Sequence, residues 1–106
     1  MAQLQKTLYS LRDDRLIHSW KQHSENCATM NVKYDLRIDV FISDETYIIS
    51  LKEVVGAHEV KPTLQYVVIN YFQYITAEVE KFCKDNNIEV ISYKELRHKL
   101  HQIHGR

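Results

Sequence analysis

Apolar residues recur at helical spacing near the start of the chain. The stripe consists of Leu4, Leu8 and Leu11, which line one face at a period of 3.6 residues. Two aspartates interrupt this stripe, and Leu16 and Trp20 resume it in a shifted phase. The pattern predicts either one bent helix or two short ones. Residues 23–30 are polar and irregular, and we expect a loop there.

Apolar and polar residues alternate in the middle of the chain, with Phe41 on the otherwise polar face. Residues 34–42 alternate with a period of two, which predicts a β-strand. The polar cluster 43–46 follows and is typical of a turn. A second β-rich run covers residues 47–52, and the two runs together predict an antiparallel hairpin. Residues 53–63 contain a glycine and a proline, and we expect a connection there.

The last third of the chain predicts a strand, a helix and a second strand. Residues 66–69 form a continuous apolar run, which is typical of a strand covered on both faces. Thr76 is a good N-cap for a helix over 77–85. A further strand is expected over 88–91. Because strand–helix–strand connections are right-handed, we expect the strands within 64–71 and 88–91 to be parallel neighbours or near neighbours.

A final helix is predicted from residue 93 to about residue 103. Ser92 and Glu95 form the spacing of a capping box at its start. The order of elements is then helix, hairpin, strand, helix, strand, helix. This order predicts one α/β domain over residues 1–106, with a mixed sheet of antiparallel and parallel strands flanked by helices.

Composition narrows the class of protein. The 106 residues include 14 Lys+Arg and 14 Asp+Glu, so the formal net charge is zero and only a local basic patch could bind nucleic acid. The two glycines exclude a Gly-rich phosphate loop. Cys27 and Cys83 stand in no CxxC spacing, which favours reduced thiols and an intracellular protein, cytoplasmic or nuclear. We expect no signal peptide and no contact with a membrane, since no apolar run has the required length.

The predicted hairpin carries the first candidate chemistry. Asp39 lies in mid-strand, where an ionised carboxylate is costly unless it is solvated, paired or bound to a metal. Lys52 would end the neighbouring strand and place its ammonium group beside that carboxylate. A carboxylate that holds Mg²⁺ beside a lysine suits phosphodiester cleavage. The plain alternative is a cross-strand ion pair on a solvated face.

Several stretches of the sequence resemble a family of nucleases. The stretches are IDVF (38–41), IISLK (48–52), VVIN (67–70), ITAEVEKF (75–82), NIEVI (87–91) and EL (95–96). The first two resemble the core of PD-(D/E)xK nucleases, and the others resemble the end of Mrr-type restriction-endonuclease domains. The resemblance covers roughly residues 34–100 and rests on order and pattern more than on signature residues. It implies a restriction-endonuclease-like fold and an endonuclease that depends on Mg²⁺ or Mn²⁺.

The resemblance also assigns site residues. It makes Asp39 the metal carboxylate and Lys52 the catalytic lysine, and it places Ser50 where the family has Asp, Glu or Gln. A serine hydroxyl is a poor Mg²⁺ ligand beside a carboxylate. Glu25 is the nearest match by position for a further acidic metal ligand.

Three functions remain open at this point. The first is an active metal-dependent endonuclease. The second is a catalytically inactive nuclease-fold module that acts as a nucleic-acid or protein-interaction subunit. The third is an α/β interaction domain with no link to nucleic acid. In each case a domain this small is expected to work as a homo-oligomer or within a larger complex, with DNA as the candidate ligand of the first two.

Basic residues make the last predicted helix a candidate nucleic-acid surface. Lys94, Arg97 and Lys99 could follow a phosphate backbone, although a solvated helix face is the plain alternative. Histidines at positions 98, 101 and 104 could pair on a zinc ion, but their pattern favours a solvated face. The aromatic residues of 71–74 lie just beyond a strand, where they could stack on bases or form an interface.

Overall fold

The computed structural model describes residues 2–105. Its elements are α1 (Gln3–Asp13), β1 (Ser19–Gln22), β2 (Cys27–Lys33), β3 (Leu36–Ile42), β4 (Ile48–Ile49), α2 (Leu51–Val60), β5 (Tyr66–Ile69), β6 (Tyr74–Ile75), α3 (Ala77–Asp85), β7 (Glu89–Ser92) and α4 (Tyr93–Ile103). Within this part of the chain, no helix combines the length and the apolar character that a membrane span requires.

Five of the strands form a mixed sheet in the order β1-β2-β3-β5-β7. The pairs β1/β2 and β2/β3 are antiparallel, whereas β3/β5 and β5/β7 are parallel. The prediction of an α/β protein whose mixed sheet contains antiparallel and parallel pairs is therefore confirmed. The restriction-endonuclease-like fold itself stays a prediction.

Helices cover both faces of this sheet and enclose two apolar cores. The core beneath α1 and α4 includes Leu4, Leu8, Leu11, Leu16, Met30, Val40, Val68, Ile91, Leu96 and Leu100. The core beneath α2 and α3 includes Cys27, Phe41, Val54, Leu64, Val67, Val79, Cys83 and Ile88. Neighbouring residues of β5 thus enter opposite cores, as the continuous apolar run of 66–69 predicts.

Side-chain caps start the last two helices as predicted. At the start of α3, Thr76 Oγ1 accepts the backbone N–H of Val79 at 3.2 Å. At the start of α4, Ser92 Oγ accepts the N–H of Glu95 at 3.0 Å, and Glu95 Oε1 accepts the N–H of Ser92 at 3.2 Å. Asn87 follows α3 with φ 57°, a left-handed conformation that asparagine tolerates at helix ends. The parallel pair β5/β7, joined through α3, is confirmed.

The predicted partner of β3 is wrong. β3 pairs antiparallel with the preceding strand β2, not with residues 47–52. Asp35 forms the tight turn between β2 and β3 with φ 62°. In this register Thr29 lies directly opposite Asp39. Both are polar residues in mid-strand, and their pairing determines which groups contact the carboxylate of Asp39.

The loop predicted over residues 23–30 is also wrong, because half of this stretch belongs to β2. A period-2 pattern is present in it, since Ala28, Met30 and Val32 are buried on one face. Thr29 and Asn31 point to the other face, which is polar at this end of the sheet. Because Thr29 and Asn31 are polar, residues 27–33 lack the continuous apolar run that usually identifies a buried strand in a sequence.

The second strand of the predicted hairpin is instead a strand of two residues and the start of a helix. β4 pairs in parallel with β6 in a separate small sheet. Ser50 is the N-cap of α2, and Lys52 lies in its first turn. The predicted connection 53–63 therefore forms most of a helix. Ser50 and Glu53 have the same Ser-x-x-Glu spacing that predicted α4, so the sequence contained this start signal.

The first helix ends earlier than the leucine pattern suggests. Arg15 adopts φ 60° directly after α1, and its N–H donates to the carbonyl of Arg12 at 2.9 Å. The N–H of Leu16 donates to the carbonyl of Leu11 at 2.9 Å, which completes a Schellman motif. The helix predicted around Leu16 and Trp20 is wrong, because Trp20 lies in β1.

Gly56 lies in the middle of α2, where we expect alanine to be more stable. A Cβ atom built there would have nothing within 4 Å. Gly56→Ala should therefore raise the free energy of unfolding by about 0.5–1 kcal/mol, since glycine costs helix interiors that much. Thermal unfolding should show an increase of a few degrees. Gly105→Ala is the matched control: Gly105 has φ 72°, so a side chain there is strained and should not stabilise. A fall in the unfolding temperature of Gly56→Ala would contradict the open space around it.

Candidate functional site

Asp39 is almost completely buried, at 6% exposure, and both oxygens of its carboxylate accept hydrogen bonds. Thr29 Oγ1, across the sheet on β2, donates to Oδ1. Thr63 Oγ1, in the loop before β5, donates to Oδ2 at 2.5 Å. A buried carboxylate is stable when its oxygens are paired in this way. The two threonines thus pair with the carboxylate of Asp39, a role that the sequence assigned to Lys52.

The hydrogen bonds around Asp39 extend over the strands β2 and β3, the β1–β2 loop and the loop before β5. His23 Nε2 lies 2.6 Å from Thr29 Oγ1. Because the hydroxyl proton of Thr29 is directed to Asp39, we assign the His23 ring nitrogen as the donor. The N–H of Asp39 donates to Gln65 Oε1 at 3.1 Å, and the N–H of Gln65 donates to the carbonyl of Asp39 at 3.1 Å. We call this set, from His23 to Gln65, the Asp39 network.

Ser50 and Lys52 do not share a strand face opposite Asp39, as the predicted hairpin required. Ser50 Oγ accepts the N–H of Glu53 at 3.3 Å and lies 3.3 Å from Glu53 Oε2, so its partners are those of a helix cap. Lys52 is exposed and lines an open groove of about 360 Å³ between α2 and the β1–β2 loop. Glu25 lines the same groove, whereas Asp39 does not. Among residues 2–105, neither Glu25 nor Lys52 forms a hydrogen bond with Asp39.

The donors around Asp39 do not make a suitable magnesium site. Mg²⁺ favours octahedral coordination by carboxylate, carbonyl and water oxygens. Asp39 instead faces two threonine hydroxyls, and its predicted partner Glu25 lines a different surface. Among residues 2–105, no group of three or more His, Cys, Asp or Glu side chains could hold a metal ion. The metal roles of Asp39 and Glu25 stay predictions without an assembled ligand set.

Cys27 lies on the same face of the sheet as Asp39 and is completely buried. Burial, with a contribution from the negative charge of Asp39, raises the pKa of the Cys27 thiol to about 11. Burial also raises the pKa of Cys83. Both thiols are therefore protonated at neutral pH, and neither is activated as a nucleophile.

Two of the three predicted nucleic-acid residues on α4 form ion pairs. Arg97 Nη2 lies 2.7 Å from Asp14 Oδ2, and Lys99 Nζ lies 3.6 Å from Glu89 Oε2. Lys94 and Lys99 line one shallow groove, and Arg97 does not line it. The pairing neutralises much of the positive charge that the sequence placed on this helix, and the three residues do not form one basic surface.

A different surface concentrates positive charge. A groove of about 420 Å³ lies where α1 and α4 end, and we call it the basic groove. It is lined by Arg12, Arg15, Ile17, His18, Lys33 and His104. No acidic residue within 2–105 lines it. Sequence reasoning missed this groove because its residues come from three segments that are distant along the chain.

An exposed aromatic patch lies around the small sheet of β4 and β6. It consists of Tyr47, Ile48, Tyr71, Phe72 and Tyr74, whose exposure ranges from 39% to 96%. Ile48 pairs with Tyr74 across the two strands, and the rings of Tyr71 and Phe72 meet edge to face at 5.3 Å. Large exposed apolar patches often mark interaction surfaces. The patch includes the aromatic residues of 71–74 that the sequence pointed out.

Comparisons with family models, with curated proteins and with solved structures find no match to this chain.

Proposed function

We propose that this protein is a nucleic-acid-binding module that does not cleave its ligand. The observation that carries the proposal is the basic groove: a chain with no net charge collects two arginines, one lysine and two histidines around one groove, and no acidic side chain of residues 2–105 lines it. Positive charge gathered in this way attracts phosphates. The proposal corresponds to the second of the three functions that the sequence left open.

The surroundings of Asp39 are the reason for proposing binding rather than cleavage. A catalytic carboxylate and lysine must meet at the reacting phosphate. Here Asp39 is held by Thr29 and Thr63, while Lys52 lies on another surface. The carboxylate acts as a structural acceptor in this arrangement.

Self-association is the second part of the proposal. Tyrosine and phenylalanine are enriched in protein interfaces, and the exposed aromatic patch contains four such residues. A dimer would also let two basic grooves contact one ligand and raise its apparent affinity. Analytical ultracentrifugation of the wild type and of Tyr71→Ser would show whether this patch joins two copies.

Binding and cleavage are separated by one experiment on the purified chain. We expect labelled DNA oligonucleotides to bind in 50 mM salt, with an affinity that falls as salt increases. We expect no cleavage of the same DNA in Mg²⁺ or Mn²⁺ beyond that of the matched Lys52→Ala variant. Metal-dependent cleavage that is lost in both Asp39→Asn and Lys52→Ala would instead establish the nuclease. Absence of binding at low salt would contradict the proposal.

A further inference from the structure

The basic groove has an aromatic border. Arg12, which lines the groove, places its guanidinium carbon 4.9 Å from the ring centre of Tyr9 and 5.3 Å from that of Trp20. The two rings meet edge to face with centres 4.8 Å apart. Tyr9 remains 40% exposed. A charged groove and an aromatic surface are therefore joined through one arginine.

Four of the basic residues that line the groove fall into two groups. Lys33 Nζ donates to the carbonyl of Ile103 at 3.1 Å, and His104 Nε2 lies 2.8 Å from the carbonyl of Leu16. These two residues satisfy carbonyls near helix ends, where positive charge is favourable. Arg12 and Arg15 are exposed, and within residues 2–105 neither guanidinium forms an ion pair or a hydrogen bond. Within this part of the chain neither arginine binds a backbone carbonyl as Lys33 and His104 do, although Arg12 lies in the last turn of α1, where positive charge is also favourable.

Arg15 stands at a backbone position that disfavours it. Its φ of 60° is left-handed, and L residues with long side chains rarely adopt this conformation. The other non-glycine residues with positive φ in the described chain are Asp35 and Asn87, whose short side chains suit it. Glycine is the usual residue at this place in a Schellman motif. An arginine here adds charge to the groove at a conformational cost.

We infer that the basic groove binds single-stranded nucleic acid, with phosphates on Arg12 and Arg15 and a neighbouring base against the surface of Arg12, Tyr9 and Trp20. Proteins that bind single strands combine a basic groove with aromatic or guanidinium planes on which bases stack. This inference rests on the proposed function and names its ligand and its site.

Few phosphates are neutralised in such a site, so the salt dependence should be shallow. Arg12 and Arg15 offer two permanent charges for phosphates, since Lys33 donates to the carbonyl of Ile103. Each phosphate contact contributes a slope of about −0.7 for single strands, so log Kobs against log salt should fall with a slope of roughly −1.4.

The test uses the intrinsic fluorescence of Trp20, which is the one tryptophan of the chain. The full chain is titrated at 50 mM salt with a 12-nucleotide thymidine strand, with an abasic phosphodiester strand of equal length, with a duplex, and with inorganic phosphate. We expect the thymidine strand to bind at least fivefold more tightly than the abasic strand and the duplex, and to change the Trp20 emission. Equal affinity for all three polymers would overturn the role of base stacking.

Variants locate the site. Arg15→Gly removes the charge and suits the left-handed backbone, so the variant should unfold no earlier than the wild type while it binds about fivefold more weakly. Its salt slope should decrease by about 0.7. Arg12→Ala should lose about tenfold, because it removes both a charge and the stacked guanidinium. Lys81→Ala is the matched control, since this lysine is 80% exposed on α3, and it should bind as the wild type does.

The outcomes distinguish the site from the function. If DNA binds but Arg12→Ala and Arg15→Gly bind as well as Lys81→Ala, the proposed function holds and this site is wrong. If Lys94→Ala weakens binding instead, the surface on α4 is the site. If no strand binds at 50 mM salt, both the site and the proposed function are wrong.

Discussion

Replacing Asp39 by alanine should lower the free energy of unfolding by about 2–4 kcal/mol. The variant removes a buried charged acceptor of two hydroxyl bonds, and bonds to charged groups contribute about 1.5–3 kcal/mol each before the freed hydroxyls find other partners. Thr29 is the residue most affected, because it is buried and lies opposite Asp39 on β2. Urea unfolding followed by circular dichroism measures the change.

The isosteric variant separates structure from chemistry. Asp39→Asn keeps the shape and one carbonyl acceptor, so it should cost less than Asp39→Ala. Glu59→Ala, at an exposed position on α2, is the control and should change the free energy of unfolding by less than about 0.5 kcal/mol. A nuclease carboxylate in a solvated site would behave differently, since its loss would leave stability unchanged. If Asp39→Ala is as stable as the control, Asp39 is not a structural acceptor and the catalytic role is favoured.

The parts of the fold that could be predicted from the sequence are those that neighbouring residues specify. The elements β5, α3, β7 and α4 were predicted well because each carries local information: Thr76 and Ser92 cap the helices, and residues 66–69 are apolar on both sides. These signals need no knowledge of distant residues. The parallel pairing of β5 and β7 then follows from the handedness of the connection.

The first half failed where pairing depended on distant or ambiguous residues. Periodicity identified β3 as a strand, but it could not tell whether β3 pairs with the segment before it or after it. The β-rich composition of 47–52 favoured the later segment, although only two of these residues form a strand. The capping box of Ser50 and Glu53 gave the opposite indication, and it was the correct one. A start signal for a helix thus outweighs β-propensity over so short a stretch.

The predicted site of Asp39 and Lys52 failed for the same reason, because it depended on the pairing of β3. The distance between Asp39 and Lys52 was inferred from a hairpin, so the site failed with the hairpin. The basic groove could not be predicted, because Arg12, Lys33 and His104 meet only after α1 and α4 have packed on the sheet. Among the positively charged residues of α4, the sequence could not show that Arg97 would reach Asp14.

A second buried polar residue joins the loops that follow the inner strands β3 and β5. Gln73 is 5% exposed, and its amide bridges two loops. Its Nε2 donates to the carbonyls of Ser43 at 3.2 Å and Glu45 at 2.7 Å, and its Oε1 accepts the N–H of Asn70 at 2.9 Å. The side chain thus ties the β3–β4 loop to the turn before β6. Three residues of the aromatic patch, Tyr47, Tyr71 and Phe72, lie in these two segments.

Replacing Gln73 by alanine should lower the free energy of unfolding by about 2–3 kcal/mol, because three backbone groups lose their partner in a buried setting. Gln102→Ala is the matched control, since Gln102 is exposed on α4 and should change stability by less than about 0.5 kcal/mol. Urea unfolding of the two variants measures the difference. Equal stability would mean that water replaces all three bonds of Gln73 without cost.

Gln73→Glu gives the sharper result because it depends on pH. The carboxylate keeps the acceptor for Asn70 but turns an oxygen toward the carbonyls of Ser43 and Glu45, which it repels. The protonated acid can donate to one of them, so the pKa of the new carboxyl should be raised in the folded state. A raised folded pKa means that stability is retained below the unfolded value of about 4.3 and is lost as the pH rises through the folded value. Gln73→Glu should therefore be less stable than Gln73→Ala at pH 7 and recover at pH 4, measured against Gln102→Glu. A deficit that is the same at both pH values would show that the inserted carboxylate turns out to solvent, and that the two loops are held together by their own backbone.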